Sequence, residues 1–215
     1  MRKAKGLSHY IYPKRGVIIY MEILKLVSPS YPISNTYRPI NLVQDPITKV
    51  WLVKEAFEQF YKMNNVLQKE GLSSLCISSG YRSYMYQQSL CAKKEKLGFN
   101  NIAKEGCSEH QLGIAMDLMT TPVINDTRNN DLSVTNLNNR SLQVFDLTFH
   151  KQWLDINSAD FGFILRYPFD KSYITGVPYK AYHYRYVGVS HAKKIVKNGL
   201  CLEEYIEMHT SMRYF

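Results

Sequence analysis

The sequence predicts an α+β fold, a small, mostly antiparallel sheet flanked by helices. One long stretch repeats apolar residues at helical spacing, with Leu52, Ala56, Phe57, Phe60, Met63 and Leu67 on one face. Shorter stretches read as strands, among them residues 74–78, 114–118, 162–167 and 182–187. Further short helical stretches are interspersed with the strands, a mixture that packs as helices against a sheet.

Taken in order, residues 1–23 form an N-terminal arm and residues 24–215 a single domain. The opening M-R-K-A-K has the charge of a signal peptide, but the apolar run 16–21 is far too short for an h-region or a membrane span. Met21 is an alternative start. Pro29, Pro32 and Pro39 then punctuate an extended segment. Asp45 followed by Pro46 reads as a helix N-cap and first helical position, and the helix stops at Gly71. A second helix spans 85–96 and ends at Gly98, and residues 114–118 should aim Asp117 to one side and Met116 to the other. Residues 125–139, rich in Asn, Asp and Thr, read as a surface loop. Helical spacing returns over 145–156, a turn or hairpin falls around Thr175-Gly176, and two short helices follow at 191–197 and 202–208.

Composition narrows the class. The chain has 215 residues, 45% hydrophobic and 21% charged, enough for one buried core and ordinary for a globular protein. The formal charge of +9 suits an anionic partner such as a phosphate-bearing precursor, and equally a generally basic surface. The Lys and Arg residues are scattered, so no stripe marks a nucleic-acid site and no nucleic-acid partner is expected. Cys76, Cys91, Cys107 and Cys201 form no C-x-x-C pair and read as free thiols of a reducing compartment. With no membrane anchor legible, the expected location is the cytoplasm.

The chemistry concentrates in two segments, S-E-H-Q-L-G-I-A-M-D (108–117) and Y-H-Y-R-Y-V-G (182–188). His110, Asp117 and His183 offer two imidazoles and a carboxylate, a set that binds catalytic Zn²⁺ while leaving a fourth position for water. Gly113 and Ala115 are small enough for the chain to turn closely between His110 and Asp117. A peptidase needs that open position, because zinc lowers the pKa of its water and polarises the scissile carbonyl.

These motifs resemble the zinc D,D-carboxypeptidases and D,D-dipeptidases of the VanY and VanX type. The likeness extends through S-S-G-Y-R-S-Y-M-Y-Q (78–87), Trp153-Leu154, F-G-F-I-L-R-Y-P (161–168) and K-S-Y-I-T-G-V-P-Y (171–179), covering roughly residues 24–200. The resemblance implies the VanY-like fold, a Zn²⁺ cofactor and a substrate that is a small peptide or muramyl-peptide precursor ending in D-Ala. It implies that Arg82 faces the carbonyl oxygen as charge develops there. Ser108 and Gln87 become candidates for hydrogen bonds to the substrate, as does Tyr182, which replaces the family's tryptophan beside the second histidine. Arg185 and Tyr186 would support the strand carrying His183.

One position departs from the family. Three residues before the second histidine the family carries a glutamate that takes the proton from water and passes it to the leaving amine. Here that position is Lys180, in Y-K-A-Y-H. A protonated lysine cannot accept that proton. The sequence therefore supports two readings, a working zinc D,D-peptidase and a relative that binds zinc and D-Ala-terminated peptides without efficient hydrolysis. Glu109 is not expected to stand in, since neighbours on an extended segment point to opposite faces.

Overall fold

The computed structural model describes residues 23–98, 102–120 and 145–211. The expectations for residues 1–22 and for the Asn-rich stretch 125–139 lie outside them. β1 (Leu42–Gln44) and β2 (Trp51–Val53) form an antiparallel hairpin. Asp45 and Pro46, expected to start the long helix, make the turn between these strands instead. The Asp45 carboxylate accepts bonds from the Ile47 and Thr48 backbone N–H groups and from the Tyr61 hydroxyl, and so caps a turn. Leu52 therefore lies in β2, and α1 runs from Lys54 to Lys69.

The rest of the helical stripe behaves as its spacing implies. Ala56, Phe60, Met63 and Leu67 are buried on one face of α1, and Gly71 at φ +90 ends it. β3 (Leu75–Ser79) follows, then α2 (Tyr84–Lys96), whose Ser83 side chain accepts from the Tyr86 N–H as N-cap. β4 (Ala115–Thr120), α3 (Phe149–Asn157), β5 (Phe163–Leu165), the one-turn α4 (Ser172–Thr175), β6 (His183–Tyr186), α5 (Val189–Lys197) and α6 (Leu202–Ser211) complete the order. The turn expected at Thr175-Gly176 is the end of α4, with Gly176 left-handed.

The main sheet has the order β3-β4-β6-β5, and every pairing is antiparallel. Met116, Leu118, Phe163 and Tyr184 share one core with Phe60, Met63 and Leu67 of α1 and Leu154 of α3. Ile164 joins a second core with α5 and α6, through Ala192, Ile195, Leu202 and Tyr205. In the register of β4 on β6, Ala115 pairs with Arg185, Met116 with Tyr184, and Asp117 with His183. Side chains alternate along a strand, so Asp117 and His183 share the face opposite Met116 and Tyr184.

The hairpin is fastened to the segment that carries His110. Val53 N–H donates to Gly113 O at 2.8 Å, and Tyr81 N–H to Trp51 O at 2.6 Å. Gly113 adopts φ +71, the left-handed form that lets the chain reverse between His110 and Asp117. At Gly80 a Cβ would lie 2.5 Å from the Trp51 carbonyl oxygen, so the backbone passes where no side chain fits. Among the described residues, no helix is long and apolar enough to cross a membrane.

Candidate metal centre

His110 sits in a 3-10 turn, Glu109–Leu112, that leads through Gly113 into β4. Asp117 and His183 are direct cross-strand partners, so the sheet register brings them together before any ligand binds. One donor atom from each of His110, Asp117 and His183 lies within 4.8 Å of the others. His110 Nε2 is 3.4 Å from one Asp117 oxygen, and His183 Nδ1 is 2.7 Å from the other. Both imidazoles are buried.

The hydrogen bonds fix how His110 presents itself. Its Nδ1 lies 2.7 Å from the Gly80 carbonyl oxygen, which can only accept, so Nδ1 carries the proton and Nε2 a lone pair. Burial, helped by the Arg82 guanidinium and opposed by Asp117, pushes the His110 pKa down to about 4. At neutral pH a bare nitrogen therefore faces a carboxylate at 3.4 Å. Two acceptors so placed repel unless a cation lies between them, and this donor set fits a divalent ion such as zinc. Burial alone would raise the Asp117 pKa, but His110 and His183 outweigh it and hold the carboxyl well below its usual range.

Those shifts have a consequence for protein stripped of metal by a chelator. Above pH 6.5 His110 is neutral both folded and unfolded. As pH falls toward about 4, the unfolded chain binds a proton that the native site refuses. Stability is thus present above pH 6.5 and lost through that window, by on the order of 3 kcal/mol from this group. Urea unfolding of chelator-treated protein between pH 7.5 and 4.5 measures it, and a flat profile contradicts the assignment.

Arg82 follows β3, and its backbone N–H donates to His110 O at 3.1 Å. Its buried Nε has no hydrogen-bond partner among the described residues, and its charge acts on both Asp117 and His110. Lys180 is half-buried, with Nζ 5.4 Å from the centre of the Tyr167 ring. Burial pushes its pKa down, Asp117 and Glu109 pull it up, and Arg82 pushes it down again, so it stands within electrostatic reach of the centre. Tyr182 is half-buried and also feels the Asp117 charge.

The other expected contacts sit differently. Ser108 is buried at the start of the 3-10 turn, and its side chain makes no cap bond there. Gln87 is buried, and its amide nitrogen donates to Ala103 O at 2.6 Å, tying α2 to the segment before the site. Its Oε1 remains without a hydrogen-bond partner among the described residues.

Glu109 overturns an expectation. In a 3-10 turn successive side chains are about 120° apart, not 180°. Glu109 is accordingly buried beside His183, with Oε2 3.7 Å from Nε2. It is also neutralised: Oε1 accepts 2.7 Å bonds from both Arg166 Nε and Arg185 Nη1. Burial would raise its pKa, but the two guanidiniums outweigh that and hold it ionised. Glu203 of α6 grips Arg166 from the other side at 2.7 and 2.9 Å. The residue next along, Tyr167, stacks on the His183 ring with centroids 5.0 Å apart. The signal for this network was present in F-I-L-R-Y and H-Y-R-Y, where an arginine inside an apolar strand calls for a buried carboxylate.

Comparison with known proteins follows the same residues. Residues 49–189 match the family model described as VanY: D-alanyl-D-alanine carboxypeptidase. The chain is 32% identical to the bifunctional D-Ala-D-Ala dipeptidase and carboxypeptidase VanXYC of Enterococcus gallinarum, over 86% of this chain and 94% of that one. It spans about half the length of some other curated relatives, such as 46% of a D-alanyl-D-alanine carboxypeptidase of Enterococcus faecalis at 39% identity over 60% of this chain. Among solved structures, a mutant of a vancomycin-resistance D,D-pentapeptidase VanY in complex with Zn(II) superposes with a TM-score of 0.66 at 31% identity, covering 86% of this chain and 99% of that one. The LD-carboxypeptidase LdcB gives a TM-score of 0.70 at 34% identity over 85% of this chain and 84% of that one.

Proposed function

This chain belongs to the VanY family of D-alanyl-D-alanine carboxypeptidases, and from that premise we propose that it is a zinc-dependent D,D-peptidase acting on D-Ala-D-Ala-terminated peptidoglycan precursors. The observation that carries the reading is the convergence of His110, Asp117 and His183 within 4.8 Å. A bound zinc ion supplies Lewis acidity toward the scissile carbonyl and a water of lowered pKa. His110, Asp117 and His183 would hold the ion, and the Gly80 carbonyl keeps the proton on His110 Nδ1 and so leaves the Nε2 lone pair for it. Arg82, whose buried Nε has no hydrogen-bond partner among the described residues, stabilises negative charge developing on the carbonyl oxygen. Ser108, Tyr182 and Gln87 Oε1 are the polar groups assigned to the peptide. The net charge of +9 suits a precursor carrying phosphate, and the four free cysteines suit a reducing compartment, the cytoplasm.

Lys180 favours a second reading. It occupies the position at which the family places its proton-accepting carboxylate, and Glu109 is engaged by two arginines and cannot replace it. In that reading the centre binds zinc and D-Ala-terminated peptides but turns them over slowly. Metal content and D-alanine release decide between the two, measured on the D-Ala-D-Ala dipeptide, a pentapeptide ending in D-Ala-D-Ala and a tetrapeptide ending in L-centre–D-Ala. Zinc uptake with release from the D,D-ended peptides supports the peptidase. Zinc uptake and peptide binding without release supports the second reading, and release from the tetrapeptide alone moves the assignment to an L,D-carboxypeptidase. Failure to bind zinc overturns both readings.

A further inference from the structure

We propose that Glu109 is a positioning residue for His183: its second carboxylate oxygen receives the Nε2–H of the imidazole and so leaves Nδ1 to hold the ion. The inference rests on the zinc reading of the site. His183 turns its two nitrogens in different directions. Nδ1 lies 2.7 Å from Asp117, toward the side where His110 Nε2 also converges. That carboxylate only accepts, so with no ion held the proton sits on Nδ1, and an ion taking the Nδ1 lone pair would require it on Nε2. Nε2 faces Glu109 Oε2 at 3.7 Å. Each of these last two atoms is buried and lacks a hydrogen-bond partner among the described residues. Two polar atoms stranded opposite each other in a protein interior are uncommon and call for an explanation.

The chemistry of imidazole supplies one. A neutral ring carries a single proton, so Nδ1 can give its lone pair to a cation only when that proton sits on Nε2. Glu109 Oε2 is the acceptor that faces it. Metal-bound histidines commonly donate their second nitrogen to a carboxylate, which sets the tautomer and the ring orientation. Glu109 is held in place for the task by the Arg166 and Arg185 bonds to its other oxygen, and Arg166 is itself gripped by Glu203. The Tyr167 ring, stacked on His183 at an interplanar angle of 25°, limits rotation of the imidazole.

A purely structural role would make Glu109 no more than the counter-charge for two buried arginines. Zinc affinity measured by chelator competition on the wild type, Glu109→Gln and Glu203→Gln separates the two, alongside urea unfolding of each protein after metal removal. The positioning role predicts a 10- to 100-fold weaker zinc affinity, roughly the loss seen for outer-shell partners, in Glu109→Gln. Glu203→Gln, which keeps the carboxylate facing His183, should lose stability but bind zinc as the wild type does. Wild-type affinity in Glu109→Gln overturns the proposal, as does a loss in both variants that tracks their lost stability. Should Glu109→Gln fail to fold, imidazole ¹⁵N shifts of the zinc-loaded wild type read the tautomer directly. A protonated Nε2 with metal-bound Nδ1 supports the proposal, and metal on Nε2 overturns it. A wild type that takes up no zinc fails the reading of the site and this inference with it, whereas the other negative results leave that reading standing.

Discussion

Replacing Lys180 with glutamate is expected to raise D-alanine release from a D-Ala-D-Ala-terminated peptide by about 10²- to 10⁴-fold, the range that a placed general base contributes. The lysine is half-buried, and its charge is felt by the same Asp117, Arg82 and Glu109 that shape the centre. An ammonium there has three donors and no acceptor, so it cannot take a proton from an attacking water. It also adds positive charge beside Arg82 and the ion that His110, Asp117 and His183 would hold. A carboxylate at the same place removes one cation and supplies the missing acceptor. The change should appear in kcat, with zinc stoichiometry unaltered. Equal rates in parent and variant would show that proton transfer does not pass through this position.

The largest expected effect on stability comes from Arg166→Met. Arg166 is 2% exposed and joins two carboxylates, Glu109 on one side and Glu203 on the other. Removing one partner of a buried pair leaves charge without compensation and costs about 3–5 kcal/mol. For a chain of this size that corresponds to a fall in Tm of about 6–20 °C. A control of the same geometry shows why burial decides the magnitude. Lys193 and Asp160 also approach to 2.7 Å, but both side chains are more than half exposed. Lys193→Ala should therefore change stability by less than about 1 kcal/mol. Similar losses in the two variants would mean that the buried network contributes no more than a surface pair.

The legible parts of this protein were those whose signal is local or redundant. The stripe of α1 from Ala56 to Leu67 repeats over about three turns, and only its first expected member, Leu52, is taken into the hairpin. The alternation of Met116 and Asp117 across β4 follows from the strand alone. His110, Asp117 and His183 stood out because two imidazoles and a carboxylate suit a divalent cation, and the three side chains do converge. The failures were places where one local pattern serves two structures. Asp45-Pro46 suits a helix start and a turn equally, and only the pairing of residues 42–44 with 51–53 selects the turn. An extended segment would send Glu109 to the far face from His110, but a 3-10 turn forms there and carries its side chain to the back of His183. The sequence could not divide the two ends of Gln87, whose amide nitrogen donates to a distant carbonyl, Ala103 O, while its Oε1 has no partner among the described residues.

The close passage of Gly80 under the hairpin bears on how this site can diverge. Its carbonyl orients His110, while the space above its Cα is filled by the Trp51 carbonyl 2.5 Å from where a methyl would begin. Any larger residue must push that stretch of main chain aside, and the oxygen that fixes the imidazole moves with it. Positions 82, 108 and 182 already carry side chains, so an exchange there meets no such collision at Cβ. Position 80 has no such latitude, and a larger residue there should disturb the orientation of His110 through the main chain.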